Sequence, residues 1–243
     1  MRRIDDRQKE KWAFLPSTEA RNTNLAIFVH GFGGGHLSTW GNLADLLARN
    51  ADTASPFKHW DYLFLGYSTI STDSYLDIAG IIDKQARYAL EGRAPFQRAY
   101  RRLSLFGHSL GTLGIRQFLC MKALEKPSII NQLHRIVLFG SPLNGSWLAL
   151  ARIGVLGCLK PNSPELRMLR KWTGGAHGVE PWPRVRLIVG SRDWVVGSTD
   201  PWMVDWAGDL EKPDSICHGH ISMTKAWTWK DCTTIDLIGE GLR

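Results

Sequence analysis

Leu103-Ser104-Leu105-Phe106-Gly107-His108-Ser109-Leu110-Gly111 is the stretch whose reading decides the fold. Four residues of strand character, Leu103 to Phe106, run straight into Gly-His-Ser-Leu-Gly, and the following TLGIRQFL has the spacing of a helix. A Gly-x-Ser-x-Gly string by itself is weak; between a strand and a helix it is specific. At such a turn the serine takes a strained conformation that lifts its hydroxyl onto the active face. Gly107 and Gly111, two residues before and two after, let the neighbouring backbone pass closely. The helix also aims its amino end at the same place, which favours developing negative charge. Ser109 is therefore the candidate nucleophile.

Outward from this elbow, short apolar runs alternate with longer segments of helical period. Strands are expected at Leu25 to Val29, Tyr62 to Leu65, Leu103 to Phe106, Arg135 to Phe139, Val185 to Val189 and, more weakly, Ser215 to Cys217. Helices are expected at Thr39 to Arg49, Ser74 to Leu90, Leu110 to Lys122, Trp147 to Leu156, and from Ser222 toward Trp229. That order predicts a doubly wound, mostly parallel α/β sheet of about six strands with helices on both faces, its ligands sitting beyond the carboxyl ends of the strands. Residues 1–24 read as an N-terminal extension and 25–243 as the domain. The connection from Gly140 to Arg184 is too long for an ordinary loop, so a cap or lid insertion is expected at about 144–184. Its apolar residues, among them Trp147, Leu148, Leu150 and Ile153, suit an acyl chain or a lipid surface; burial against the sheet is the plainer alternative.

The strand Leu25 to Val29 ends in His30-Gly31-Phe32-Gly33-Gly34-Gly35. Acyl transfer needs N–H donors aimed at the oxyanion, and a glycine loop at a strand end can supply one from its backbone. The amides of Phe32 and Leu110 are the candidates for that hole, with His30 holding the loop. A phosphate-binding loop would need a GK[ST] ending or GxGxxG spacing, and neither is there. A serine nucleophile also needs a base and an orienting acid. Asp193, in Gly190-Ser191-Arg192-Asp193-Trp194 after the strand VRLIV, is the candidate acid, with Asp200 its rival on the same loop. In Cys217-His218-Gly219-His220-Ile221-Ser222, His220 is the candidate base and His218 the fallback. No carboxylate or cysteine stands near these two histidines at a metal-ligand spacing, so no metal is expected.

The composition is that of a globular protein with a real core: 243 residues, 44% hydrophobic and 22% charged. No run approaches the ~18 apolar residues of a spanning helix. The opening MRRIDDRQKEKW lacks the apolar region of a secretory signal, so a cytoplasmic chain is expected. Cys120, Cys158, Cys217 and Cys232 are scattered and read as reduced. The net charge of +7 is spread along the chain with no legible RNA or DNA module, so a nucleic-acid partner is not expected; peripheral contact with an anionic membrane suits it better. Among eleven tryptophans, Trp172, Trp182, Trp194, Trp202 and Trp206 cluster in the C-terminal half, where they could line a pocket or meet a lipid interface.

The chain resembles the lipase and serine-esterase branch of the α/β-hydrolases, the branch that also holds the GPI inositol-deacylase-like proteins. HGFGG at 30–34, GHSLG at 107–111, GSPLNGS at 140–146, the lid-like KPNSPELRML at 160–169, SRDWVV at 191–196 and GHIS at 219–222 carry the likeness. Ser109, then Asp193, then His220 is the triad order of that fold. Leu143-Asn144 replaces a histidine often seen after the sixth strand, and the short chain implies a sheet without the fold's first two strands. The resemblance implies cleavage of a small-molecule or lipid ester through an acyl-enzyme, with no cofactor. A thioesterase or protein deacylase would use the same groups, and a silent binding module would not need to keep all three.

Overall fold

A computed structural model describes residues 4–7, 11–19, 21–96, 98–125, 127–146, 154–161, 163–174, 183–196, 211, 213–230 and 232–243. Its strands are β1 (Asp5–Arg7), β2 (Trp12–Leu15), β3 (Asn24–Val29), β4 (Asp61–Leu65), β5 (Arg102–His108), β6 (Leu133–Phe139), β7 (Arg184–Gly190) and β8 (Asp214–Ile216). Its helices are α1 (Leu43–Asn50), α2 (Tyr75–Glu91), α3 (Leu110–Glu125), α4 (Pro127–Ile130), α5 (Pro164–Gly174) and α6 (Thr233–Gly241). The strands form one sheet in the order β1-β2-β4-β3-β5-β6-β7-β8. From β4 to β8 every pairing is parallel, whereas β2 joins β4, and β1 joins β2, antiparallel.

The six parallel strands are those expected from the apolar runs. The sheet nevertheless has eight strands rather than about six, because Asp5–Arg7 and Trp12–Leu15, read as part of an extension, add two antiparallel strands to its edge. Trp12, Ala13, Phe14 and Leu15 are all buried there, a four-residue run too short to show a period beside so charged a neighbour.

Alternation along the strands builds two cores. Leu25, Ile27 and Val29 face α2, α3 and α5, while Ala26 and Phe28 face α1 and α6. Phe28 lies at the centre of the second core, stacked at 4.7 Å on both Phe64 and Phe106. The Ser74 hydroxyl caps α2 by accepting from the Leu76 amide, and Asp77 accepts from the Ser74 amide in return.

The helix expected over Thr39 to Arg49 is split at Gly41, whose φ is 65°, into a 3-10 turn at Ser38–Trp40 and α1. The last helix is displaced. Only a 3-10 turn forms at Ser222–Thr224, because the Ala226 backbone bridges to Gly41 and its carbonyl accepts from the Asn42 amide at 2.8 Å. The chain then continues to α6, which buries Ile235 and Ile238 beneath the sheet.

In the expected lid, residues 147–153 of the Trp147 to Leu156 helix lie outside the described residues. A 3-10 turn at Gly154–Leu159 and α5 follow, and α5 buries Leu166 and Leu169 against α3 as part of the core. Among the described residues no helix is long and apolar enough to cross a membrane.

Candidate active site

The carboxyl ends of β3, β5, β7 and β8 bring the four predicted segments together. Ser109 has φ of 50°, a left-handed value that is uncommon outside glycine, at the single residue separating β5 from α3. Its amide donates to the Phe139 carbonyl at 2.9 Å and its carbonyl accepts from the Thr112 amide at 3.0 Å, so the strained turn is held from both sides. Gly111 is required by crowding: a Cβ there would stand 2.4 Å from the His30 carbonyl oxygen. The glycine loop is pressed equally hard on the elbow, since a Cβ on Gly31 would meet the Ser109 Cβ at 2.7 Å.

The loop owes its course to His30. The imidazole donates from Nδ1 to the Gly31 carbonyl at 2.7 Å and accepts at Nε2 from the Tyr67 amide at 3.1 Å. The Tyr67 hydroxyl returns a bond to the His30 carbonyl at 2.5 Å, and the two rings stack 4.2 Å apart. Burial pushes the His30 pKa down to about 4, which keeps the ring neutral and able to accept. Gly33 and Gly35 donate to the Thr69 and Thr39 hydroxyls, whereas the amides of Phe32 and Leu110 have no protein acceptor among the described residues.

Opposite the elbow, His220 Nδ1 lies 2.7 Å from Asp193 Oδ2, with both side chains buried. The other carboxylate oxygen of Asp193 accepts from the amides of Val195 and Val196 at 3.0 and 3.1 Å, which fixes its plane. Burial by itself would raise the Asp193 pKa. The hydrogen bond and charge of His220, with the two amides, overcome that and hold it below the usual value. His218 plays no part in this pair. Its carbonyl accepts from the Arg192 amide, tying the β8 loop to the β7 loop. Asp200 lies outside the described residues.

His108 joins the two halves. Its Nε2 donates to the His220 carbonyl at 2.8 Å, and the two imidazole rings are 4.8 Å apart. The Ser109 hydroxyl makes no hydrogen bond to His220 among the described residues. Gly140, with φ of 54°, closes the floor at the end of β6, leaving His220 Nδ1 and Asp193 Oδ2 just 3.1 and 3.2 Å from where a Cβ would stand. The sequence gives no hint of the Tyr67 and Gly140 contacts, because each depends on a neighbouring strand. Chemically, the site gathers a strained serine, a carboxylate-held imidazole and two free amides.

The model of a family described as Putative serine esterase (DUF676) matches residues 19–150, more than half of the chain. No curated protein matches the sequence. The mature lipase BlEst2 of Bacillus licheniformis is similar in structure, with a TM-score of 0.61 at 15% identity over 95% of this chain and 97% of that one. A monoacylglycerol lipase of Paleococcus ferrophilus gives 0.60 at 16% identity over 95% and 97%. Phospholipase PlaB of Legionella pneumophila gives 0.53 at 21% over 70% of this chain, which spans only 39% of that longer one. At such identities the likeness is one of fold, that of the α/β-hydrolases.

Proposed function

The chain belongs to this serine esterase family, and from that membership and the site's geometry we propose that it cleaves carboxylic esters through Ser109, His220 and Asp193. It is a carboxylesterase or lipase-like hydrolase. One observation carries the residue assignment: the side chain before the strained serine touches His220, and His220 in turn holds Asp193 at 2.7 Å.

In this reading Ser109 Oγ attacks the ester carbonyl as His220 Nε2 takes its proton, while Asp193 holds the imidazole by Nδ1–H and stabilises the imidazolium. The carbonyl oxygen, now an anion, is received by the free amides of Phe32 and Leu110 at the amino end of α3. The C–O bond then breaks, and His220 hands its proton to the leaving alcohol. Water, deprotonated by the same imidazole, attacks the acyl-serine and releases the acid. Every group in the cycle is returned to its starting state.

A lipid ester is the substrate class that suits the rim. Ile70, Trp194 and Ile221 are 77%, 89% and 66% exposed on the loops leaving β4, β7 and β8, the edge that carries the site. A charge of +7 adds attraction to an anionic membrane surface. The four cysteines are unpaired, which suits a reducing cytoplasmic setting.

The test is hydrolysis of para-nitrophenyl esters of increasing acyl length by the wild type beside Ser109→Ala, both checked for folding, with labelling by a serine-reactive phosphonate. Turnover and labelling that vanish in the variant support the reading. A Ser109→Ala protein as active as the wild type overturns it.

A further inference from the structure

A cleft of about 170 Å³ opens between the glycine loop and the loop that follows His220. Phe32 and Gly33 line one side, and Ile221, Thr224 and Lys225 the other. Its place fixes what can occupy it. The leaving oxygen of an ester must come within reach of His220, which protonates it, while the carbonyl oxygen points at the Phe32 amide. On the catalytic reading above, the alcohol portion leaves on the His220 side, toward the cleft that Ile221, Thr224 and Lys225 line.

The cleft is built for charge. The Thr224 hydroxyl is committed to the Thr39 carbonyl at 2.9 Å, which leaves the Lys225 ammonium as its strongest polar group. Lys225 Nζ donates to the Ser38 carbonyl, a neutral acceptor that occupies one of its three hydrogens. Among the described residues no carboxylate lies within 4 Å of that nitrogen. Partial burial lowers the Lys225 pKa, with no charged neighbour among the causes. His108, on the same wall, is held neutral by burial and does not repel an anion electrostatically or attract one, and among the described residues the cleft's lining holds no aspartate or glutamate to answer the ammonium. An incoming anion would.

We propose that Lys225 is a specificity-determining residue that selects esters whose alcohol portion carries a negatively charged group, the phosphate-bearing acylglycerols being the class that joins such an alcohol to an apolar acyl chain. The inference rests on the catalytic reading above, since it takes its direction from the His220 side of the scissile bond. Hydrolysis follows the same course, releasing the carboxylic acid and the phosphate-bearing alcohol, with the His220 proton on the freed hydroxyl.

Two esters with one acyl chain decide it: 1-butyrylglycerol and 1-butyrylglycerol 3-phosphate, followed by pH-stat with wild type, Lys225→Met and Lys225→Arg. The wild type should favour the phosphate ester by about tenfold or more in kcat/KM, the scale of one charge-assisted hydrogen bond. Lys225→Met should bring the ratio down toward one, mainly through KM, and Lys225→Arg should restore most of it. A wild-type ratio near one, or a ratio unchanged in Lys225→Met, overturns the proposal. If neither ester turns over but a phosphonate labels Ser109, the labelling rates of a neutral and an anionic phosphonate are compared by the same criterion. Loss of both turnover and labelling removes the catalytic reading and this inference with it.

Discussion

His108 Nε2 donates to the backbone carbonyl of His220 across 2.8 Å, so the residue before the elbow serine holds the loop that carries the proposed base. Donation from Nε2 leaves Nδ1 as a bare lone pair, and that atom is buried without a partner among the described residues. Shortening the side chain frees the loop. His108→Ala is expected to lower kcat by roughly ten- to a hundredfold with a much smaller change in KM, because misplacement of the base by about 1 Å has that cost. His108→Gln, whose amide can still donate, should recover part of the loss. Equal kcat in all three proteins would show that the contact does not position His220.

Asp193 and His220 should fail together. Asp193→Asn exchanges an acceptor for a donor opposite Nδ1 and is expected to cost roughly 10³- to 10⁴-fold in kcat, by favouring the wrong imidazole tautomer. His220→Ala should lose a similar amount, and the double variant little more, since the residues act as one unit. His218→Ala should stay within about threefold of wild type, because His218 enters the site through its backbone. Asp200→Asn should also retain most activity. A collapse in either of these last two, measured as kcat/KM on a soluble ester, would move the assignment.

Gly140 is where the end of β6 meets Asp193 and His220 at once. At φ of 54° a side chain is strained, and an added Cβ would stand about 3.1 Å from His220 Nδ1 and from Met223 Sδ. Gly140→Ala is expected to lose about 1–3 kcal/mol of stability and at least tenfold in activity. Urea unfolding with matched kinetics checks both. An unchanged unfolding midpoint with full activity would show that the strands relax to accept the methyl group.

Two buried imidazoles make the fold sensitive to acid. His30 is pushed down to about 4 by burial, and His108 to about 3 by burial with the charge of His220 adding to it. An unfolded imidazole titrates near 6.5, so between pH 6.5 and 4 the unfolded chain takes up protons that the folded chain refuses. Stability therefore rises with pH through that window and is level above it. His30 alone accounts for on the order of 3 kcal/mol across it. Unfolding midpoints at pH 7.5 and 4.5 should differ clearly in the wild type and less in His108→Gln. A flat profile would mean that neither ring stays neutral when folded.

What could be read from the sequence follows burial. The parallel strands announce themselves because both faces are covered, so that Leu25 to Val29 or Ile136 to Phe139 reads as a continuous apolar run. Strand β2 does not, since Trp12 to Leu15 is only four residues long. Helix α6 is equally hidden: Thr233, Thr234, Ile235, Gly239 and Gly241 are poor helix formers, and the helix exists because Ile235 and Ile238 are buried. In the site, Ser109, Asp193 and the His218–His220 segment follow strand ends, and the pattern alone places them there. The choice between His218 and His220 cannot be read from it. It depends on which residue the Ile216–Gly219 backbone, tied to Gly190, Ser191 and Arg192, turns toward Asp193. Lys225 was invisible for the same reason, being brought to the cleft by a 3-10 turn where a helix was expected.

The exposed rim gives the last prediction. Trp194 and Ile70 lie on loops at the site's edge and leave large apolar surfaces in water, which an apolar surface would cover favourably during the reaction. Replacing both by serine removes an interfacial anchor worth roughly a tenfold change in partition. The ratio of activity on long-chain esters in vesicles to activity on a soluble short-chain ester should therefore fall about tenfold. With anionic vesicles the wild type should bind more tightly at 50 mM than at 500 mM salt, because screening weakens the pull of a +7 chain. With neutral vesicles that salt dependence should vanish while the effect of the serine substitutions remains. If the variant keeps the wild-type ratio on both vesicle types, the rim is ordinary surface and the ester reaches Ser109 from solution.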